Sequence, residues 1–320
     1  LTDILRLSNS ELMTFLRCRR QWYLSTYLQL TPRRLPAPMS ALSIGTLVHD
    51  ALAAYYDPNV DDRQDPLAFI QEVAAVELEQ YPAYEESIAA ELKLVHIMLE
   101  GYLEWLAETG EDEDIQVLGT ERMVEVVLVC ELGGLGPIHL LSKLDAPIFR
   151  ERDGAKLAFE HKTCGSVIPP AELKLDTQLL TEHLALFLDA IDKGATKEEA
   201  YDQCHGVMYN MLRKVQRTAT AKPPFYAREV IPHNVHELRN HWKHMVAVGR
   251  EVQRARARLD AGEDHHTVCP PTPFKDRCKW DCAFFKVCVM ADDGSDLDGA
   301  LEALYEPRDP LERYANAERL

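Results

Sequence analysis

The sequence is short of positive charge. Its 320 residues carry 35 Lys and Arg against 52 Asp and Glu, a formal net charge of −17. A body of that charge repels polyanions, which excludes indiscriminate binding to nucleic acid or anionic membranes but leaves room for a local basic groove. Long apolar runs are also missing. No stretch reaches the length of a membrane span, so no membrane association is expected. Leu1 to Leu7 is too short and too polar for an export signal, and neither a fixed-period repeat nor a low-complexity tract is visible. Cysteine is too sparse for a disulfide scaffold: there are 8, and Cys269, Cys278, Cys282 and Cys288 crowd together. In a chain read as cytoplasmic, such crowding favours a metal or cluster over disulfides.

What is present suits a globular core, with 46% apolar residues. Ser8-Asn9-Ser10-Glu11 reads as a capping box, opening a helix over Ser10–Thr26 with Phe15, Cys18 and Trp22 on one face. Pro32, Pro36 and Pro38 interrupt the chain before a second helix, Ala41–Tyr56, which carries His49 beside its apolar stripe. Helices follow over Pro66–Gln80 and Glu86–Glu108, then an acidic loop, Glu111–Asp114. The apolar period next changes to two. Arg122–Glu131, Ile138–Phe149 and Ala155–Lys162 read as strands joined by Gly133-Gly134 and Asp153-Gly154 turns. A helix over Pro170–Ile191, strands over Gly206–Leu212 and Phe225–Ile231, and a long helix over Val235–Leu259 complete the pattern. This order suits an α/β fold with an antiparallel sheet portion and a helical N-terminal insertion. No linker divides it, so residues 1–290 are expected to form a single domain. Residues 291–320, with nine Asp and Glu and three Arg, read as a weakly attached or disordered acidic tail.

Glu160-His161-Lys162 ends one apolar strand and Asp145 ends another. Residues i and i+2 share a strand face, so Glu160 and Lys162 lie side by side. Pairing through the Asp153-Gly154 hairpin brings Asp145 toward Glu160. Two carboxylates so placed form a hard-oxygen site for Mg²⁺ or Mn²⁺. A neighbouring lysine can orient water and stabilise charge on a phosphate. Taken alone, the pattern more often marks an ion-paired surface strand.

Together, Gly45-Thr46-Leu47-Val48-His49, Lys143-Leu144-Asp145, Glu160-His161-Lys162 and Asp176-Thr177-Gln178 resemble the ordered motifs of RecB-family PD-(D/E)xK nucleases. The resemblance implies a restriction-endonuclease-like core, a mixed sheet flanked by helices. It makes His49, Asp145 and Glu160 metal ligands, Lys162 catalytic, and Gln178 part of a Gln-x-x-x-Tyr motif lining the site. Glu182 stands at the Tyr position of that motif, a departure from it.

Cys278-x3-Cys282-x5-Cys288 supplies three thiolates, which select zinc or an iron–sulfur cluster. His265 and His266 could complete a zinc site. Iron–sulfur members of the same family, the CRISPR-associated and AddB-type exonucleases, carry one cysteine before the His motif and three near the C-terminus. By that resemblance Cys18, Cys278, Cys282 and Cys288 hold a cluster of the 4Fe-4S kind. The spacing between Cys278 and Cys282 is one residue longer than usual, which makes Cys269 an alternative ligand. On its own residues, Cys18 reads as a small buried hydrophobe, and Cys130, Cys164 and Cys204 as structural.

Met211–Arg228 contains Arg213, Lys214, Arg217, Lys222 and Arg228 with no acidic residue, interleaved with Phe225 and Tyr226. Arg17, Arg19, Arg20, Arg33 and Arg34 form a second basic group. Basic residues with aromatics suit a single-strand path, although such runs are more often solvated surface. The sequence therefore points to a metal-dependent DNA exonuclease acting in recombination, repair or replication, as a homo-oligomer or with a protein partner. The rivals are a catalytically silent DNA-binding or assembly subunit and a zinc-stabilised nuclease.

Overall fold

The computed structural model describes residues 4–33, 44–59, 63–130, 135–315 and 317–320. Pro36, Pro38, Arg34, residues 41–43 and the Gly133-Gly134 turn lie outside the described residues. Among those described the strands are, in chain order, β1 (Leu5–Ser8), β2 (Leu30–Pro32), β3 (Ile115–Val117), β4 (Arg122–Val129), β5 (Ile138–Leu144), β6 (Ala146–Arg150), β7 (Ala155–Cys164), β8 (Cys204–Arg213), β9 (Tyr226–Ile231) and β10 (Tyr305–Pro307). With the helices that flank them they make a mixed α/β fold, as the residue pattern implies. The chain forms two compact units from alternating segments. One comprises residues 1–35, 127–141 and 240–317, the other residues 36–126, 142–239 and 318–320.

The second unit is built on a five-stranded sheet of order β3-β6-β7-β8-β9. β7 and β8 run parallel and the other neighbours antiparallel. The β6–β7 hairpin turns at Asp153-Gly154 as expected, with Gly154 at φ 68°, where a side chain would be strained. Along β7 the two-residue period sends Leu157 and Phe159 into a core with Val48, Ala51 and Leu52 of the Ile44–Tyr55 helix and Met98, Leu99 and Tyr102 of the Glu85–Thr109 helix. Each such side chain, fully buried, contributes roughly 1.5–3 kcal/mol. The crossover from β7 to β8 carries the Thr177–Asp192 helix. At the start of β8, Cys204 pairs with Lys156 and Gly206 with Leu157, so His205 bulges out. Gly206 sits at φ 133°, and a Cβ there would fall 2.3 Å from the Ile231 carbonyl oxygen.

Two expected elements are broken where they bear on the site. The strand expected over Ile138–Phe149 bends at Asp145, because β5 belongs to the sheet of order β1-β5-β4 and β6 to the five-stranded one. The helix expected over Pro170–Ile191 is interrupted after Leu173. A new helix starts at Thr177, capped by the Asp176 carboxylate, which accepts the Gln178 N–H at 2.8 Å.

In the first unit β1 runs parallel to the start of β5, pairing Leu5 with Ile138 and Leu7 with Leu140. Ser8 caps the Asn9–Arg17 helix by accepting the Glu11 N–H at 3.2 Å. The reciprocal half of the expected box gives way to another bond: Glu11 is buried and accepts the Trp22 indole N–H at 3.0 Å. The helix expected to reach Thr26 stops at Cys18, which is extended at φ −162° and ψ 112°. Arg19–Trp22 resumes it, followed by a π-turn over Tyr23–Tyr27. The acidic tail is folded, contrary to expectation. β10 pairs antiparallel with β2, Tyr305 stacks on Phe284 with centroids 5.0 Å apart, and Tyr305 and Tyr314 are buried.

Candidate active site

Asp145 occupies the bend between β5 and β6. The register of the hairpin pairs Ala146 with Phe159, which sets Asp145 beside Glu160 and His161. The His161 backbone N–H donates to Asp145 Oδ2 at 2.9 Å, and His49 Nδ1 lies 3.3 Å from the same oxygen. Burial alone would push the Asp145 carboxyl up. The hydrogen bond and charge of His49 and the His161 N–H outweigh it and hold the group below the usual range.

Glu160 projects from β7 toward the Thr177–Asp192 helix and is buried. The Gln178 side-chain amide donates to Glu160 Oε1 at 2.7 Å and to Glu182 Oε1 at 3.0 Å. One NH₂ group thus spans two carboxylates. Glu182, one helical turn after Gln178, is also buried, and its Oε2 has no hydrogen-bond partner among the described residues. Burial, then the charges of Glu182 and Asp145, push Glu160 well above the ordinary carboxylate range. Burial chiefly, with Asp145 and Asp176 adding, pushes Glu182 up to about 8. Lys162, half-buried two residues after Glu160, is close enough to draw both of them down.

This donor set suits a hard divalent cation. Three carboxylates crowd a buried space with one lysine, and an imidazole adjoins them, so a bound cation would offset the burial and mutual repulsion that raise Glu160 and Glu182. Asp145, Glu160 and His49 do not all converge within 4.8 Å, the only described group that does being Asp264, His265 and His266. Mg²⁺ keeps several waters and needs only one or two carboxylates. The five residues read from the sequence, His49, Asp145, Glu160, Lys162 and Gln178, therefore fall at one place. Glu182, which departs from the motif, lies inside the same site through its bond to Gln178. On the far face of β7, His161 stacks on Tyr56 and contacts the Asn210 amide at 3.0 Å through Nδ1. Burial lowers its imidazole to about 3.

The first unit gathers Cys18, Cys278, Cys282 and Cys288 around one cavity of about 810 Å³. Cys18 reaches it because the helix breaks there, which moves Cys18 off the face that Phe15 and Trp22 bury. Cys269 is fully buried and does not line the cavity. Backbone N–H groups of Thr272 and Phe274 point at the sulfurs of Cys18 and Cys278, at 3.5 and 3.3 Å. Such donors stabilise thiolate ligands. Zinc bound tetrahedrally at about 2.3 Å would draw its sulfurs to about 3.8 Å. No three of these sulfurs meet within 4.8 Å, and His265 and His266 group with Asp264 instead. Four thiols around one cavity are a soft donor set that suits zinc or an iron–sulfur cluster. Of the remaining cysteines, Cys164 and Cys204 are buried and Cys130 is exposed.

The basic residues read as a DNA surface divide. Arg20 is corrected: it is buried, forked onto Asp292 at 2.6 and 2.9 Å, and donates to the Cys288 carbonyl at 3.3 Å. Arg228, in the same basic run as Arg213, is buried against Asp112 at 3.0 Å. Arg213 donates to the Lys222 and Pro224 carbonyls, both at 2.8 Å. Arg217 pairs with Glu104 at 2.6 Å and Arg19 with Glu251 at 2.5 Å. Lys214 is exposed and, among the described residues, has no ion-pair partner.

A comparison with curated proteins returned no match. The model of the PD-(D/E)XK nuclease superfamily matches residues 6–289. That span includes Asp145 just before β6, Glu160 and Lys162 on β7 and Gln178 on the Thr177–Asp192 helix, and the chain belongs to the PD-(D/E)XK nuclease superfamily.

Proposed function

We propose that the protein is a metal-dependent deoxyribonuclease that hydrolyses phosphodiester bonds from DNA ends, of the iron–sulfur RecB-like type. The observation that carries the reading is the convergence of Asp145, Glu160 and Lys162 with the Gln178 amide fixed on Glu160.

Asp145 and Glu160, with His49 beside Asp145, would hold Mg²⁺ or Mn²⁺, which supplies Lewis-acid polarisation and a lowered water pKa when bound. The His161 N–H and His49 fix one face of Asp145 and leave its other oxygen for a ligand. Gln178 fixes Glu160 Oε1 in the same way. Lys162 is a cation in the strand position next to these anions. There it can hold the attacking water and stabilise the charge that develops on the phosphate oxygens. In the first unit, Cys18, Cys278, Cys282 and Cys288 would hold the cluster. Its work is structural, joining the N-terminal helices to the C-terminal segment of that unit. DNA processing in recombination, repair or replication is the setting this chemistry serves.

The test is purified protein with end-labelled DNA and Mg²⁺ or Mn²⁺. Cleavage that needs the cation and stops with EDTA is the expected result. Binding of DNA with no cleavage under any divalent cation would favour the silent-subunit reading instead.

A further inference from the structure

We propose that the first unit carries a base-stacking platform for single-stranded nucleic acid, made by Phe274, Trp280 and Phe285 with Arg17, Arg277, Lys279 and Lys286. The proposal deepens the nuclease reading, on which it rests, by naming the form of the substrate.

Three observations carry it. First, the three aromatic side chains are open to solvent: Trp280 is 78% exposed, Phe274 63% and Phe285 43%. Leaving that much aromatic surface in water forgoes roughly 25 cal/mol per Å² of burial, and large side chains exposed together mark a binding surface. Second, the exposure is clustered. Phe274 and Phe285 line the cysteine cavity together with exposed Met13, Leu16 and Val289, and Trp280 lies on the Lys275–Asp281 helix between two cysteines that line it. Third, the charge around them is inverted relative to the chain. Arg17, Arg277, Lys279 and Lys286 are exposed and, among the described residues, none has an ion-pair partner. Lys279 lies 5.1 Å from the Trp280 ring. Elsewhere the cations are mostly neutralised, as Arg19, Arg20, Arg217 and Arg228 are.

In a chain of net charge −17, these four cations, set against the carboxylate of Asp281 that lines the same cavity and interleaved with solvent-facing rings, form a local complement to a polyanion with aromatic faces. A single strand offers both: phosphates for the cations and unstacked bases for the rings. A duplex offers only the phosphates, because its bases are already stacked. Arg17 and Arg277 also line the cavity, which places cation and ring along one surface.

The experiment is equilibrium binding of a 5′-fluorescent oligothymidylate to the anaerobically purified full chain in EDTA, read by anisotropy and by quenching of tryptophan emission. An abasic strand of equal length is the control for phosphate contacts. Stacking of one base is worth about 1–3 kcal/mol, so Trp280→Ala should weaken oligothymidylate binding on the order of 5- to 150-fold and leave the abasic strand unaffected. Trp280→Phe should restore most of the loss, which separates stacking from misfolding. Equal loss for both strands, or none for either, overturns the proposal. Trp280-dependent sedimentation with anionic vesicles, without a difference between the two strands, would assign the surface to a membrane. Trp280-dependent self-association in ultracentrifugation, again without that difference, would assign it to a second copy. Either outcome overturns it. Cleavage is read separately. Cation-dependent cleavage unaffected by Trp280→Ala, with binding also unaffected, removes the platform alone. Trp280-dependent binding without cleavage removes the nuclease reading alone.

Discussion

Gln178 Nε2 donates to Glu160 Oε1 across 2.7 Å, and its second N–H serves Glu182 Oε1 at 3.0 Å. One amide therefore sets the orientation of a carboxylate on a strand and of another on a helix. Removing a partner that orients a metal ligand typically costs 10- to 100-fold in affinity or activity. Gln178→Leu is expected to weaken Mn²⁺ binding by about that factor, measured by the free-ion electron paramagnetic resonance signal, while thermal unfolding without cation changes little.

The burial and crowding of carboxylates make the cation-free protein less stable as pH rises from the acid range toward about 8. Glu182 is pushed up from 4.5 to about 8, so the folded protein holds a proton that the unfolded chain has released. The stabilisation is complete below pH 4.5 and is lost as pH rises through about 8. Urea unfolding in EDTA should show stability falling across that window, and saturating Mg²⁺ should reverse the fall. Glu182→Gln, which keeps an acceptor for Gln178 without a charge, should flatten the dependence.

The acid side is governed by buried histidine. His183 donates from Nε2 to the Cys204 carbonyl at 2.8 Å and meets His233 Nδ1 at 3.3 Å through its own Nδ1. Burial lowers His183 from 6.5 to about 4, so the unfolded chain binds the proton first. Its contribution is present above pH 6.5 and is lost as pH falls through about 4, on the order of 3 kcal/mol in all. His183→Gln should reduce the steepness of acid unfolding, measured by urea midpoints between those values.

Cys18 is the proposed cluster ligand farthest in sequence from Cys278, Cys282 and Cys288. Cys18→Ser, purified without oxygen, should lose bound iron and the visible iron–thiolate absorption, and should unfold at a lower temperature than the parent. A colourless parent protein carrying stoichiometric zinc would instead establish the zinc-stabilised form.

Much of the candidate site's placement is legible in the sequence because strand geometry is local. Alternation puts Glu160 and Lys162 on one face, and a short hairpin fixes the register that delivers Asp145. Glu182 was harder to read, since a buried acid at that helical position gains meaning only from the Gln178 amide above Glu160. Within the basic runs Arg20 and Arg228 prove buried, because a run of charge does not disclose its partners. The acceptors of Arg20 and Arg228 lie 272 and 116 residues away in sequence. The tail was misread for a related reason: its acidic composition conceals Tyr305, whose burial depends on Phe284. The break at Cys18 left no local mark, since the apolar spacing of Phe15 and Trp22 continues through it.

The central claim is that Asp145, Glu160 and Lys162 form a working hydrolytic site. Its most direct test is the rate at which anaerobically purified protein degrades 5′- and 3′-labelled DNA with Mg²⁺ or Mn²⁺, for the parent and for Lys162→Ala. The account predicts cation-dependent release of products from the ends by the parent, and a rate at least about 100-fold lower for Lys162→Ala. Degradation by Lys162→Ala at the parent rate would contradict it.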